Sequence, residues 1–264
     1  MWCNAVMIEL DGCPATAEDL AGLALCNYGH FTTMLVSDGG VRGLSLHLRR
    51  LAGDCRALFD AELDLDRVRE LVRRALGDTP RMVRVTVYAP GLELARPGAN
   101  LEPRILVTTR PAASHQLPPL RLCSVAHRRD SPSVKHVGLF ETIRQRRIAQ
   151  RAGFDDALFV DERSCVLEGA TWNIGFHDGT RLVWPSGDQL PGVTMELVRS
   201  LGVAESSERE LDLAAAAGFP IAFATNAAVG VRAIESLDEI RYDSSAAVLE
   251  ELTRGYLALP GEKI

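Results

Sequence analysis

The chain has 264 residues, 47% hydrophobic and 24% charged, ordinary globular values that exclude a disordered, collagen-like or coiled-coil protein. A formal net charge of -6 at pH 7 argues against a sequence-independent nucleic-acid binder, which needs a basic face. The length sets one large or two modest domains, enough chain for a core without staples.

In chain order, residues 30–37 read as a strand closed by the turn signal Asp38-Gly39-Gly40. Apolar positions at Leu48, Leu51, Cys55, Leu58 and Phe59 give a helix over 46–59, and Leu65, Val68, Leu71 and Leu76 give another over 64–77. Strands follow at 81–88 and 103–110. Residues 111–119, Pro-Ala-Ala-Ser-His-Gln-Leu-Pro-Pro, read as a linker between a small N-terminal α/β domain (1–110) and a larger C-terminal domain (120–264). The second half opens with a strand over 120–127 and a helix over 136–152. Val137, Phe140, Ile143, Ile148 and Ala152 form that helix's apolar face, and Gly153 stops it. Strands are expected at 156–161, 165–168, 172–177 and 181–184, with Asp178-Gly179 turning the third into the fourth. A helix beginning near Val193, strands at 220–225 and 229–235 and a helix over 243–256 complete the chain. Helices and strands mix without strict alternation, so the fold class is α+β (mixed α/β).

No membrane span is expected, since the most apolar stretch, Leu213 to Val231, is interrupted by Gly218, Pro220 and Asn226. The start lacks a cationic region before an apolar run, so no signal peptide is expected. Six cysteines with no CxxC pair read as thiols in a reducing cytoplasm.

Dinucleotide, P-loop, zincin and nucleophile-elbow motifs are all missing, and the six histidines have no metal-ligand spacing, so no metal is expected. Lysine plus arginine is 29, yet the only lysines are Lys135 and Lys263. Arginine covers surface charge here, which makes the internal Lys135 informative. Arginine cannot shed its proton to attack an aldehyde; lysine can, in a suitable environment. Alone, a lysine before a helix is more often a surface residue. Glu168, between apolar strand residues and Gly169, is placed to meet a buried cation, though strand-end glutamates commonly face water. Leu190-Pro191-Gly192-Val193-Thr194 at a helix start can seat a phosphate on free N–H groups and a hydroxyl, or can simply start a helix. Thr225-Asn226 could add donors or only end a strand.

Taken together these pieces resemble fold-type IV, or class IV aminotransferase, pyridoxal-phosphate enzymes. That group includes branched-chain and D-amino acid aminotransferases and aminodeoxychorismate lyases. The resemblance runs from about Tyr28 to Ile234. It rests on Phe31-Thr32-Thr33-Met34 with Asp38-Gly39, His47-Leu48-Arg49-Arg50-Leu51, Val134-Lys135-His136, Gly153-Phe154-Asp155-Asp156-Ala157-Leu158, Leu167-Glu168-Gly169-Ala170-Thr171-Trp172-Asn173-Ile174 and Leu190-Pro191-Gly192-Val193-Thr194. It implies two domains with pyridoxal 5'-phosphate in the cleft between them, and a cytoplasmic homodimer acting on small amine and keto-acid substrates. Lys135, carried by the C-terminal domain, would be the Schiff-base lysine that also moves protons at the substrate Cα. Glu168 would pair with the pyridine nitrogen. Arg50, Val193, Thr194 and one of Thr225 or Asn226 would hold the phosphate. Leu190 would lie against the ring, with Gly192 and Asn173 completing the cofactor site.

Departures from the family pattern bear on activity. Asn27-Tyr28-Gly29-His30 replaces Gly-Asp-Gly, Thr32 replaces a glutamate, and Phe140 stands where many members have tyrosine near the cofactor's phenolic oxygen. Phe31-Thr32-Thr33 and Lys135-His136 resemble the lyases, which release pyruvate and p-aminobenzoate from 4-amino-4-deoxychorismate. Their Arg-Gly element is replaced by Tyr88-Ala89-Pro90-Gly91. An amino-acid transaminase is the leading reading, the lyase the runner-up, and a non-catalytic member of the fold a minor third. Arg84 and Arg96 are the candidates for binding a substrate carboxylate.

Overall fold

The computed structural model describes residues 6–77, 79–112 and 117–264. The elements of the first half are β1 (Ile8–Leu10), β2 (Cys13–Pro14), α1 (Ala17–Cys26), β3 (His30–Ser37), β4 (Gly40–Val41), α2 (Leu44–Phe59), α3 (Leu65–Arg74), β5 (Arg81–Tyr88) and β6 (Arg104–Pro111). Then follow β7 (Leu120–Ala126), α4 (Phe140–Arg151), β8 (Asp156–Val160), β9 (Val166–Gly169), β10 (Asn173–His177), β11 (Arg181–Pro185), α5 (Val193–Arg199) and β12 (Glu205–Arg209). The chain finishes with α6 (Leu213–Ala216), β13 (Ile221–Asn226), β14 (Gly230–Leu237), β15 (Ile240–Arg241), α7 (Ala247–Ala258) and β16 (Glu262–Lys263).

Two compact units form. One comprises Met1–Ala113, Val134–Gly138 and Pro260–Ile264, and the other Ser114–Ser133 and Leu139–Leu259. The stretch expected as a linker begins inside β6, which runs through Pro111, and residues 113–116 lie outside the described residues.

In the first unit the described strands pair in the order β16-β4-β3-β5-β6-β1-β2, antiparallel throughout. Strand alternation decides what each face does. Met34 and Val36, Val83, Val85 and Val87, and Ile105 and Val107 turn one way. They bury against Leu44, Leu48, Leu51 and Cys55 of α2 and Val68, Leu71 and Val72 of α3. Phe31 and Thr33, registered with Thr86 and Arg84, face the other way. Helix α1, absent from the sequence reading, starts in a capping box between Thr16 and Asp19.

The lysine-bearing segment corrects two expectations. Residues 136–139 are not helical, and Val134–Gly138 packs with the first unit rather than with the C-terminal domain. Its backbone bonds along β3 and the residue before it: Phe31 N donates to Lys135 O at 2.9 Å, Val137 N to Gly29 O at 2.9 Å, and His30 and His136 form an antiparallel bridge. Groups bonded to a neighbouring strand cannot also serve an i to i−4 ladder.

The second unit holds a mixed sheet in the order β12-β11-β10-β13-β14-β7-β8-β9, with β15 beside β14. Its two faces carry separate cores. Ile174, Phe176, Val183, Ala222, Ala224 and Ile234 share one. Leu182, Trp184, Ile221, Phe223 and Val231 pack with Met195 and Val198 of α5 and Leu249, Leu252 and Tyr256 of α7. Helix α4 is rolled away from the expected orientation. Phe140, Ile143 and Ile148 are 76%, 59% and 47% exposed, while Thr142 and Ala149 are buried. Arg146, on the side nearer the sheet, binds Asp156 at 2.5 Å, and that ion pair with the small Ala149 sets the roll. Among the described residues no helix is long and apolar enough to cross a membrane.

Candidate functional site

In the first unit the chemistry gathers between β3, α2 and the segment Val134–Gly138. On α2, His47, Arg50 and Asp54 recur at i, i+3 and i+7 and so share one face. Thr32, fully buried on β3, lies 2.7 Å from His47 Nδ1 through its Oγ1 and accepts a hydrogen bond from Arg50 Nη2 at 2.9 Å. Asp54 Oδ2 accepts the backbone N–H of Lys135 at 3.2 Å. The Lys135 ammonium nitrogen is 5.0 Å from the centre of the Phe31 ring, and the Arg84 guanidinium is 3.5 Å from that centre.

Burial sets the charge states around this cluster. His47 is held well below its usual range by burial, then by the positive charges of Arg50 and Lys135. Burial, with Arg110 nearby, pulls Arg84 down to about 10, which leaves it cationic at neutral pH. His30 is pulled down to about 4 by burial, and neither ring nitrogen has a hydrogen-bond partner. Arg96, the other carboxylate candidate, sits exposed in the turns between β5 and β6.

The second unit assembles a different set. Glu168 on β9 is buried, and its Oε1 accepts from Arg129 Nη1 at 3.2 Å; the two side chains are only 6% and 9% exposed. Arg129 escaped the sequence reading, because nothing in His127-Arg128-Arg129-Asp130 marks one arginine over the other and the pairing spans 39 residues. Asn173 opens β10, and its Nδ2 donates to Leu190 O at 2.8 Å and Gln189 Oε1 at 3.3 Å. The local fold requires glycine at 192, since a Cβ there would run into Asn173 Oδ1. Gly169 is required likewise, because the Trp172 ring occupies the space a side chain would need.

Gly192 is the N-cap of α5 and offers no side-chain cap, so the Val193 and Thr194 N–H groups have no acceptor within the helix. Thr194 is 2% exposed, and its Oγ1 is buried without a hydrogen-bond partner. A buried orphan hydroxyl is costly unless something completes it. A phosphate oxygen would do so, and the residues present therefore fit a phosphate-bearing cofactor.

Strand register separates Thr225 from Asn226. Thr225 pairs with Asn173, and its Oγ1 approaches Asn173 O at 3.5 Å. Asn226 points to the opposite face, where its Oδ1 accepts from Ala228 N and Val229 N at 3.0 and 2.9 Å and shapes the turn into β14. It lines a separate small cavity of about 70 Å³ with Arg146, Asp156, Trp172 and Arg232. Asn226 is thus engaged in the turn and is withdrawn from the phosphate set. Phe140, at 76% exposure, is not part of either cluster. Among the described residues no group of His, Cys, Asp and Glu is arranged to hold a metal ion.

The family described as amino-transferase class IV matches residues 29–237. A probable branched-chain-amino-acid aminotransferase of Rickettsia bellii is 34% identical over 113 residues, 41% of this chain and 38% of that protein. The Rickettsia felis counterpart is 34% identical over 101 residues, 36% of this chain and 34% of that protein. The matched stretch thus spans little more than a third of these curated relatives. Among solved structures, a hypothetical aminotransferase from Mycobacterium tuberculosis in its PLP-bound form superposes with a TM-score of 0.81 at 20% identity, covering 97% of this chain and 98% of that one. The branched-chain aminotransferase of Thermoproteus uzoniensis with norvaline gives 0.84 at 19% identity, covering 96% and 94%. At such identities the likeness speaks for the fold. The family match runs from the turn before β3 through Lys135, Glu168 and α5 into β14, and the chain belongs to the class IV amino-transferase family.

Proposed function

We propose that this chain is a pyridoxal 5'-phosphate-dependent aminotransferase that exchanges an amino group between an amino acid, or related primary amine, and a keto acid. Family membership supports the reading. The observation that carries it is the buried Thr194 hydroxyl in the first turn of α5, which lacks a partner that a phosphate oxygen would supply. When bound, pyridoxal phosphate supplies an aldehyde for the amine and a pyridinium ring that draws electrons from the substrate Cα.

This chain's own residues do the rest. Lys135 is the amine that bonds the cofactor and carries the proton at the substrate Cα. Glu168, its carboxylate held by Arg129, keeps a proton on the pyridine nitrogen. Arg50, the Thr194 hydroxyl and the Val193 and Thr194 N–H groups bind the phosphate, with Thr225 adding a hydroxyl. Asn173 and Gly192 together fix the Leu190 backbone, whose side chain lies against the ring. Arg84, cationic and on the same face of the sheet as Phe31, takes the substrate carboxylate. Among the described residues Cys13, Cys26, Cys55, Cys123 and Cys165 are free thiols, which supports a reducing, cytoplasmic setting; the family resemblance supports a homodimer, and fractionation and sedimentation would check the two.

Borohydride reduction of the holoenzyme followed by peptide mapping tests the reading, with Lys135 as the expected site of the label. Branched-chain amino acids come first in the donor panel, given the names of the curated relatives, with 2-oxoglutarate and pyruvate as acceptors. Formation of p-aminobenzoate from 4-amino-4-deoxychorismate without amino transfer would favour the lyase instead. A label elsewhere, or none with no spectral change on adding pyridoxal phosphate, sinks the proposal.

A further inference from the structure

Three side chains in the first unit form a continuous chain: Arg50 Nη2 to Thr32 Oγ1 at 2.9 Å, and Thr32 Oγ1 to His47 Nδ1 at 2.7 Å. Thr32 and His47 are 0% and 1% exposed, so the Thr32 hydroxyl is shielded from solvent. Proton count fixes the direction. The guanidinium can only donate, so Thr32 Oγ1 accepts from Arg50. A hydroxyl has one proton. If His47 Nδ1 also donated into Oγ1, that proton would have no acceptor in a sealed site. The hydroxyl therefore donates to His47 Nδ1, and His47 is the neutral tautomer with its proton on Nε2. Burial and the neighbouring charges of Arg50 and Lys135 keep the ring neutral, so the direction persists through the physiological pH range.

We propose that Thr32 and His47 are positioning residues whose ordered chain fixes the Arg50 side chain in advance for its role as a phosphate ligand. The inference rests on the reading of Arg50 as a phosphate ligand. An arginine side chain is rich in rotamers, and a ligand that must freeze it loses affinity; the threonine does that ordering beforehand. The choice of a hydroxyl matters electrostatically as well. The threonine hydroxyl adds a contact to Arg50 without adding a charge.

The test titrates full-length, cofactor-stripped enzyme with pyridoxal phosphate and with pyridoxal, which has the same ring and no phosphate. The ratio of the two dissociation constants reads the phosphate contribution alone. Thr32→Val, matched in shape but without the hydroxyl, is expected to weaken pyridoxal phosphate about tenfold and leave pyridoxal unchanged, with Thr32→Ser restoring the ratio. Equal weakening of both ligands by Thr32→Val, or no effect on either, overturns the inference. Arg50→Ala separates the two levels of the argument. If it leaves the ratio intact, Arg50 is not a phosphate ligand. If it collapses the ratio while Thr32→Val does not, only the positioning role is lost. Should Thr32→Val fail to fold, nitrogen NMR of the wild-type protein decides. His47 Nδ1 is expected unprotonated and Nε2 protonated, and the reverse assignment overturns the chain.

Discussion

The Asp54 carboxylate accepts the backbone N–H of Lys135 at 3.2 Å. Asp54 is buried on α2, and Lys135 lies on a segment whose backbone also bonds to Phe31 of β3 and to Gly29 just before it. The aspartate therefore ties the lysine's main chain to the helix. Asp54→Ala is expected to cost about 1–3 kcal/mol in chemical denaturation, the usual penalty for deserting a buried polar group. On the role proposed for Lys135, it should also lower the amino-transfer rate more than tenfold, because the amine would be held less firmly. Asp54→Asn keeps an acceptor oxygen and should retain most of the stability, which separates the hydrogen bond from the charge.

Arg129 and Glu168 form an ion pair in which both side chains are under a tenth exposed. Removing the arginine alone takes an ion-pair partner from a carboxylate in a poorly solvated site. Arg129→Ala should destabilise the protein by about 3–5 kcal/mol. Glu168→Gln, which removes the charge and keeps the shape, should cost less in stability and far more in activity. Denaturation midpoints and initial rates on the same two variants would expose the opposite rank orders.

Gly192 leaves room for Asn173 Oδ1, and Asn173 in turn holds Leu190 O. Gly192→Ala must push the asparagine aside, with an overpacking cost of about 1–3 kcal/mol. Cofactor affinity should fall with it, because the displaced backbone leads directly into Val193 and Thr194. A spectroscopic titration with pyridoxal phosphate measures that loss.

His30 predicts an acid-labile fold. Its folded value lies at about 4 against 6.5 for the free side chain, so below pH 6.5 the unfolded chain binds the proton that the native state refuses. This stability is complete above pH 6.5 and is withdrawn as the pH falls toward 4. At pH 5 the His30 contribution alone amounts to about 2 kcal/mol of destabilisation relative to pH 7.5, and His47 acts in the same sense. His30→Leu should flatten part of the slope and be no less stable at pH 7.5, since it removes two buried nitrogens without partners. Urea denaturation at the two pH values checks both statements.

What was legible in the sequence was local. Alternation marked β3 and β5, helical spacing marked α2 and α3, and Leu190 to Thr194 announced the start of α5. What was hidden depended on partners distant in sequence. Sequence spacing starts α4 at residue 136, four residues early, because the backbone bonds that hold Lys135 and Val137 extended run to Phe31 and Gly29, about a hundred residues away. The face of α4 was misjudged because Phe140, Ile143 and Ile148 make a plausible apolar stripe until Asp156 claims Arg146. Arg129 looked like any of the chain's many arginines before folding set it beside Glu168. The capping box at Thr16 and Asp19 was readable and went unread.

Because α2 presents Arg50 and Asp54 on neighbouring turns, one rigid rod bears both the side chain proposed to clasp the anion and the tether of the lysine proposed as the reactive amine. A small tilt of that rod would shift the two in step. Substitutions at its buried rear, such as at Leu48 or Leu51, should accordingly retune cofactor retention and chemistry jointly, as a seesaw moves both ends.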